Sequence, residues 1–357
     1  MSRRSPAAPI RLAWIGVIAI VGLAACNSSA NPAPASAVSS PAGPPVTLRL
    51  GYFPNVTHAT ALVGIESGLY AKALGSNVAF QTSSFNAGSS AAEALLSGAI
   101  DATYIGPSPA INAFVKSSGA VKIVAGATSG GALFVVKPGI TSAADLKGKK
   151  IASPQLGNTQ DVALRTWLLA NGLKTDTKGG GDVSIVPQDN ALTLQAFESG
   201  AIDGAWEPEP WASRLIIEGH GTVLVNEKDL WPQGQFSTTV LLVRTDFLAA
   251  HPDVIRALLQ GQLQANALIA SDPAQAQKLT NQGIAKITNS TLSDAVIQAA
   301  WKNLTFTNDP IEASIKTSAD NAVKIGLLKS VDLTGFYDLT ILNGVLTAAG
   351  QPTVGGS

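Results

Sequence analysis

The chain has 357 residues, a formal net charge of zero, only 13% charged residues and a single cysteine. A nucleic-acid partner would leave a basic excess or stripe, and none is present. One cysteine allows no internal disulfide, and His58, His220 and His251 lack metal-ligand spacing, so metal, thiolate and cofactor chemistry are not expected.

Arg3, Arg4 and Arg11 precede a short apolar run that ends in Leu23-Ala24-Ala25-Cys26. A basic start, a brief apolar core and small residues describe an export signal, here 1–25. Leu-Ala-Ala-Cys resembles a bacterial lipoprotein cleavage site, which implies that Cys26 becomes the acylated first residue. Residues 27–45 carry no charge and almost nothing to bury, so 26–45 reads as a lipidated, solvated tether. Exported protein held to the outer face of the cell membrane is the expectation.

From residue 46 onward the chain is long enough for two ordinary domains. Strands are expected over 47–52, 78–82, 101–105 and 122–127, with helices over 59–74, 88–96 and 107–115. The same order follows: strands over 150–152 and 182–186, helices over 160–169 and 190–198. Two apolar strands, 132–136 and 238–243, fit chain crossings between lobes. Beyond His251 the pattern is mainly helical, over 254–270, 273–283, 292–302, 311–326 and 339–348. Alternating strands and helices argue for an α/β architecture with parallel-rich sheets. The expected division is a first lobe of 46–131 plus 239–350, a second of 132–238 and a tail of 351–357.

An internal repeat supports two lobes of similar build. Ser97-Gly98-Ala99-Ile100-Asp101 returns as Ser199-Gly200-Ala201-Ile202-Asp203, and the match runs on to an aromatic, Tyr104 against Trp206. Pro107 and Pro109 then correspond to Pro208 and Pro210. Thr57 meets Thr159 and Leu62 meets Leu164 at the same offset. Gly106-Pro107-Ser108 and Trp206-Glu207-Pro208 are expected to face each other across one cleft.

Gly51-Tyr52-Phe53-Pro54, Phe85-Asn86-Ala87-Gly88, Gly98-Ala99-Ile100-Asp101, the stretch from Ala144 to Ala152, and Trp206-Glu207-Pro208-Glu209-Pro210-Trp211 carry a resemblance. Together they resemble the type II solute-binding proteins of bacterial ABC importers, in the aliphatic sulfonate, taurine and nitrate-binding family. The resemblance implies a type II periplasmic-binding-protein fold, a role as a monomeric binding protein rather than an enzyme, and a permease and ATPase as partners. In an open parallel sheet the ligand lies beyond the carboxyl ends of the strands, at helix N-termini that hold an anion without Arg or Lys. The candidates there are Asn55, Thr57, His58, Asn86 and Ser108 from one lobe, and Gln155, Asn158, Thr159, Trp206 and Glu207 from the other.

These residue types also have structural roles. Ser108, Asn158 and Thr159 suit helix caps, Trp206 suits a core, and Glu209 suits a first helical turn. Were Glu207 to face the cleft, it would repel a bare anion and favour a ligand carrying an amine. A small organic anion, sulfonate or taurine-like, is the expected ligand. Nitrate, bicarbonate, or a thiamine-precursor pyrimidine that stacks and donates hydrogen bonds to two carboxylates beside Trp206 and Trp211 are the alternatives.

Overall fold

The structure, a computed structural model, describes residues 46–355. The export signal, Cys26 and the tether lie outside the described residues. The first strands are β1 (Val46–Tyr52), β2 (Val78–Ser84), β3 (Ala102–Ile105) and β4 (Val121–Gly130). Between them run helices α1 (Ala59–Glu66), α2 (Leu69–Leu74), α3 (Gly88–Leu96) and α4 (Pro107–Lys116). The single helix expected over 59–74 is therefore two. Gly68 adopts a left-handed φ of 73°, and the reversal folds the Tyr70 ring against Gly64, where a Cβ would sit 2.4 Å from the ring.

Next come β5 (Ala132–Val136), β6 (Lys150–Ser153), α5 (Thr159–Ala170), β7 (Ser184–Pro187), α6 (Asn190–Glu198), β8 (Gly204–Pro208), α7 (Trp211–Ile217) and β9 (Thr222–Asn226). The chain returns through β10 (Ser237–Arg244) to α8 (Thr245–Ala250), α9 (Pro252–Ser271), α10 (Pro273–Thr288) and α11 (Asp294–Lys302). It ends with β11 (Leu304–Phe306), α12 (Glu312–Lys324) and α13 (Thr340–Ala348).

Two sheets result, ordered β11-β4-β10-β3-β1-β2 and β7-β6-β8-β5-β9. β1 lies parallel between β2 and β3, and β6 lies parallel between β7 and β8. Antiparallel to the third strand of each group runs a crossing strand, β10 against β3 and β5 against β8. The two α/β lobes thus share one strand order, and together they form a type II periplasmic-binding-protein fold.

Both crossing strands are central, which explains their unbroken apolar runs. Leu241 and Val243 face a core with Leu48, Leu50 and Leu258, while Val240 and Leu242 face Ile111, Phe114 and Phe336. In the other sheet Phe134 and Val136 pack with Leu164 and Trp206, and Leu133 and Val135 pack with Leu194 and Phe197.

The repeat is visible in hydrogen bonds as well. Asp101 accepts from the Arg49 N–H at 2.9 Å, and Asp203 accepts from the Lys150 N–H at 2.9 Å. Each acid also donates its own N–H back to the carbonyl of the same partner residue, at 2.9 and 2.8 Å. This reciprocal pair stitches the third strand of each lobe to the first, so both turns beyond them are carried at one edge.

Candidate functional site

After β1 the chain turns through Phe53-Pro54-Asn55 into a single 3-10 turn, Val56–His58. The Thr57 carbonyl accepts from the hydroxyls of Thr128 on β4, at 2.7 Å, and Thr239 on β10, at 3.0 Å, which pins the turn to two strands. His58 is buried; its ring stacks on Phe53 at 4.5 Å, and its Nδ1 accepts from the Phe53 N–H at 3.3 Å. Burial drops the imidazole pKa to about 3, so the ring is neutral, and with Nδ1 accepting, Nε2 carries the proton. His58 is therefore a donor without charge.

In the second lobe the loop after β6 leads into α5. Asn158 caps this helix, its Oδ1 accepting from the Asp161 N–H at 2.9 Å. Asp161 is fully buried and anchors the loop from below. It accepts from the Ser153 hydroxyl at 2.7 Å, the Gly157 N–H at 2.9 Å and Arg165 Nε at 2.8 Å. The capping role expected of Asn158 is real, and it coexists with a position on the cleft.

The strand ends of the two lobes meet through direct contacts. The Thr57 N–H donates to the Glu209 carbonyl at 3.3 Å, and the Ser108 N–H donates to Thr159 Oγ1 at 3.4 Å. Gln155 Nε2 donates to Ser89 Oγ at 2.6 Å, and Trp211 Nε1 donates to Asn55 Oδ1 at 3.0 Å. Gly106 faces Thr159 so closely that a Cβ would lie 2.6 Å from Oγ1. The pairing is diagonal. The first-strand turn of each lobe meets the third-strand turn of the other, and Gln155 also reaches Ser89 beyond the second strand; the repeated turns share the cavity through Gly106 and Pro208, but these hydrogen bonds do not join them to one another.

Between these contacts lies a cavity of about 40 Å³, lined by Asn55, Thr57, His58, Asn86, Gln155, Asn158 and Thr159 among the candidates. That volume holds about three waters, the scale of a compact oxyanion head. Gln160, Asn190 and Thr238 also line it and were not anticipated. No lining residue is formally charged. Amide, hydroxyl and imidazole groups remain, beside the N-terminal ends of α3 and α5, whose open N–H groups and dipoles favour an anion.

Three candidates sit elsewhere. Ser108 is buried beside Thr159 with a hydroxyl that finds no partner among the described residues, and it does not line the cavity. Trp206 is core: fully buried, it stacks on Phe134 at 5.3 Å and donates to Glu227 Oε2 at 2.7 Å. On β8 the side chains alternate, so Glu207 points the opposite way. With the Asn190 amide assigned so that its oxygen faces Trp211, it donates to Glu207 Oε2 at 3.1 Å and accepts from Trp211 Nε1 at 3.2 Å. Burial pushes the Glu207 carboxyl well above the usual range, opposed in part by a hydrogen bond to Thr193. Its charged form disfavoured by burial and its side chain lying behind Asn190, it is not presented to the cavity as a cleft-facing carboxylate would be. Glu209 is also buried, accepting from Ser213 and from Asn303 of the other lobe at 2.7 Å. Neither carboxylate lines the cavity, so the pair expected to receive an aminopyrimidine is not presented there.

The aromatic wall comes from Trp211 instead of Trp206. It lines a second chamber of about 470 Å³ that shares Phe53, Asn55, Asn86 and Asn190 with the small cavity. Trp211 was visible in the sequence as part of the repeated Pro-containing turn; what the turn did not reveal was which of its two tryptophans faces outward.

Two lobes of one strand order, touching at their strand ends around a donor-lined cavity, define a type II solute-binding protein architecture. The chain belongs to the NMT1-like family, which it matches over residues 41–284. It is 30% identical over 240 residues to a Brucella abortus (strain 2308) protein described as "Putative binding protein", covering 66% of this chain and 70% of that one. It is also 30% identical over 218 residues to the taurine-binding periplasmic protein of Escherichia coli K12, covering 60% of this chain and 64% of that one.

Among solved structures, the alkanesulfonate-binding protein SsuA of Xanthomonas axonopodis pv. citri bound to MOPS superposes with a TM-score of 0.69 at 22% identity. That match covers 83% of this chain and 99% of SsuA. The periplasmic nitrate-binding protein NrtA of Synechocystis PCC 6803 gives 0.73 at 18% identity, covering 86% of this chain and 90% of NrtA. These two likenesses speak to the fold.

Proposed function

We propose that this chain is the extracytoplasmic solute-binding component of an ABC importer, capturing a small organic anion, with a sulfonate as the favoured head group. The observation that carries the reading is a cavity between the lobes bounded by helix N-termini and neutral donors, without a formally charged lining residue. A tetrahedral sulfonate offers three acceptor oxygens to such a set. Taurine, alkanesulfonate and nitrate binding by the similar proteins, as their names state, support an anion of this class.

The role is one of binding, not catalysis. His58 is the titratable side chain of the cavity, and its Nδ1 is engaged by backbone instead of by a hydroxyl that it could activate. Lobe closure around the solute would give the permease a form to recognise. The leader over 1–25 and lipidation at Cys26 would hold this carrier at the outer face of the membrane, and it would act as a monomer.

Calorimetric titration of the purified protein with taurine, alkanesulfonates, nitrate and bicarbonate tests the reading. Saturable heat with one sulfonate and none with a neutral alcohol of equal size is expected. Heat with nitrate or bicarbonate alone would replace the sulfonate by a smaller anion, and no heat with any anion would overturn the assignment.

A further inference from the structure

Beside the small cavity lies a chamber more than ten times its volume, about 470 against about 40 Å³. The two share Phe53, Asn55, Asn86 and Asn190 as walls, so a solute seated by its head in the first extends into the second. The larger chamber is built differently. Phe53 and Phe85 come from the strand-end turns of one lobe and Trp211 from the other, while Ile284 and Ile287, at the end of α10, close one side. Arg214 lies over the Trp211 ring, 4.8 Å from its centre to the guanidinium, and is paired with Glu218 at 2.9 Å. That pairing leaves Asp189, exposed at the rim, as the remaining charge among the lining residues. Thr288, Ser290 and Thr291 make the lining at and beyond the end of α10 polar, so the apolar surface is concentrated at Phe53, Phe85, Trp211 and the two isoleucines, where rings reward edge-to-face and offset contact with another ring.

From this geometry we infer that the solute is an aryl-substituted organic anion, its ring received between Phe53, Phe85 and Trp211 and covered by the C-terminal end of α10. The inference rests on the proposed anion site and narrows its ligand class. A two-carbon sulfonate would fill the head cavity and leave this chamber to water. An aromatic tail would displace that water from apolar surface, and the gain grows with the area buried. Trp211, whose single indole N–H is shared between the Asn55 and Asn190 amide oxygens, is held beside residues that line both spaces.

The test uses the full-length protein and probes paired by head group: methanesulfonate with 2-phenylethanesulfonate, and acetate with 3-phenylpropionate. In whichever pair binds, the aryl member should bind at least about tenfold tighter. Ile287→Asp and Phe85→Ala should each reduce that ratio to about threefold or less, with circular dichroism showing that each variant is folded. Ile287 is half-buried on a helix end, so it remains a usable probe if Phe85→Ala does not fold. Equal affinity within a pair would overturn the aryl assignment and leave the anion site standing. Binding of nitrate with neither pair bound would do the same. Failure of every anion, nitrate and bicarbonate included, would remove both.

Discussion

At the scale of single residues, two buried titratable groups separate charge from function. His58 is neutral because burial penalises the imidazolium, with a pKa near 3, so an anion beside it is met by an N–H dipole. Affinity for the anion should accordingly stay within about twofold from about pH 5.5 to 8.5, measured by titration at fixed ionic strength. A site that relied on imidazolium would instead lose about tenfold per pH unit above its pKa. Glu227, buried against Trp206 Nε1, has its pKa lifted to about 7 by desolvation. Its folded-state value lies above the unfolded one, so the stability it contributes is complete below about pH 4.5, declines as pH rises, and is gone above about pH 7. Glu227→Gln should therefore flatten the fall in stability between about pH 5 and 8, by up to about 3 kcal/mol, as read from urea unfolding at each pH. Trp206 shows why such residues are hard to read in advance. The repeat places it at a strand end beside a cleft, but strand alternation decides its direction, and the partner that holds it, Glu227, is 21 residues away in the next connection.

At the scale of elements, much of the architecture was legible because the determinants are local. Gly-stopped helices before Asp101 and Asp203, the alternation of strand and helix, and the apolar crossing runs all specify their own conformation. Elements held by distant partners were not legible. β9 (Thr222–Asn226) gains its place by pairing with β5, and the short β11 by pairing with β4. The Thr222-Val223-Leu224-Val225 run suits a strand but does not say where it pairs, β11 carries no marked pattern, and α8 is a six-residue turn folded in after β10. The start of α5 is the element on which the site depends most. Asp161 joins Ser153, Gly157 and Arg165 beneath it, and Arg165 is itself only 3% exposed. Asp161→Ala should cost about 3–5 kcal/mol in denaturant unfolding, because it leaves the guanidinium buried without its counterion. Replacing both partners, as Asp161→Leu with Arg165→Met, should recover most of that stability. The double variant should still bind the anion weakly, since the loop ahead of α5 loses its anchors at Ser153 and Gly157.

At the scale of the whole molecule, the duplicated lobes interlock through a diagonal exchange. Thr57 donates its backbone N–H to the Glu209 carbonyl and Thr159 accepts the Ser108 N–H on its hydroxyl, so equivalent threonines reach the third-strand turn of the opposite lobe by different groups. The crossing from β4 to β5 runs through Gly130 and Gly131, both at left-handed φ, of 81° and 76°. At Gly130 a Cβ would lie 2.6 Å from the Asn303 backbone carbonyl oxygen, so a side chain there is both strained and blocked. Gly106 is different: its φ of −70° and ψ of 153° suit any residue, and only the opposite lobe excludes a Cβ. Gly106→Ala should thus leave thermal stability within about 1 kcal/mol while weakening anion binding about tenfold or more, because it wedges the lobes apart at Thr159. Unchanged affinity would mean that binding does not need the lobes this close. The central claim, an anion held between two lobes without a formal positive charge, is tested most directly by the crystal structure of the protein grown with a saturating sulfonate. The sulfonate oxygens are predicted to lie about 3 Å from His58 Nε2 and from N–H groups at the start of α5. A sulfonate paired instead with Arg214, or with any lysine or arginine outside the cavity, would contradict it.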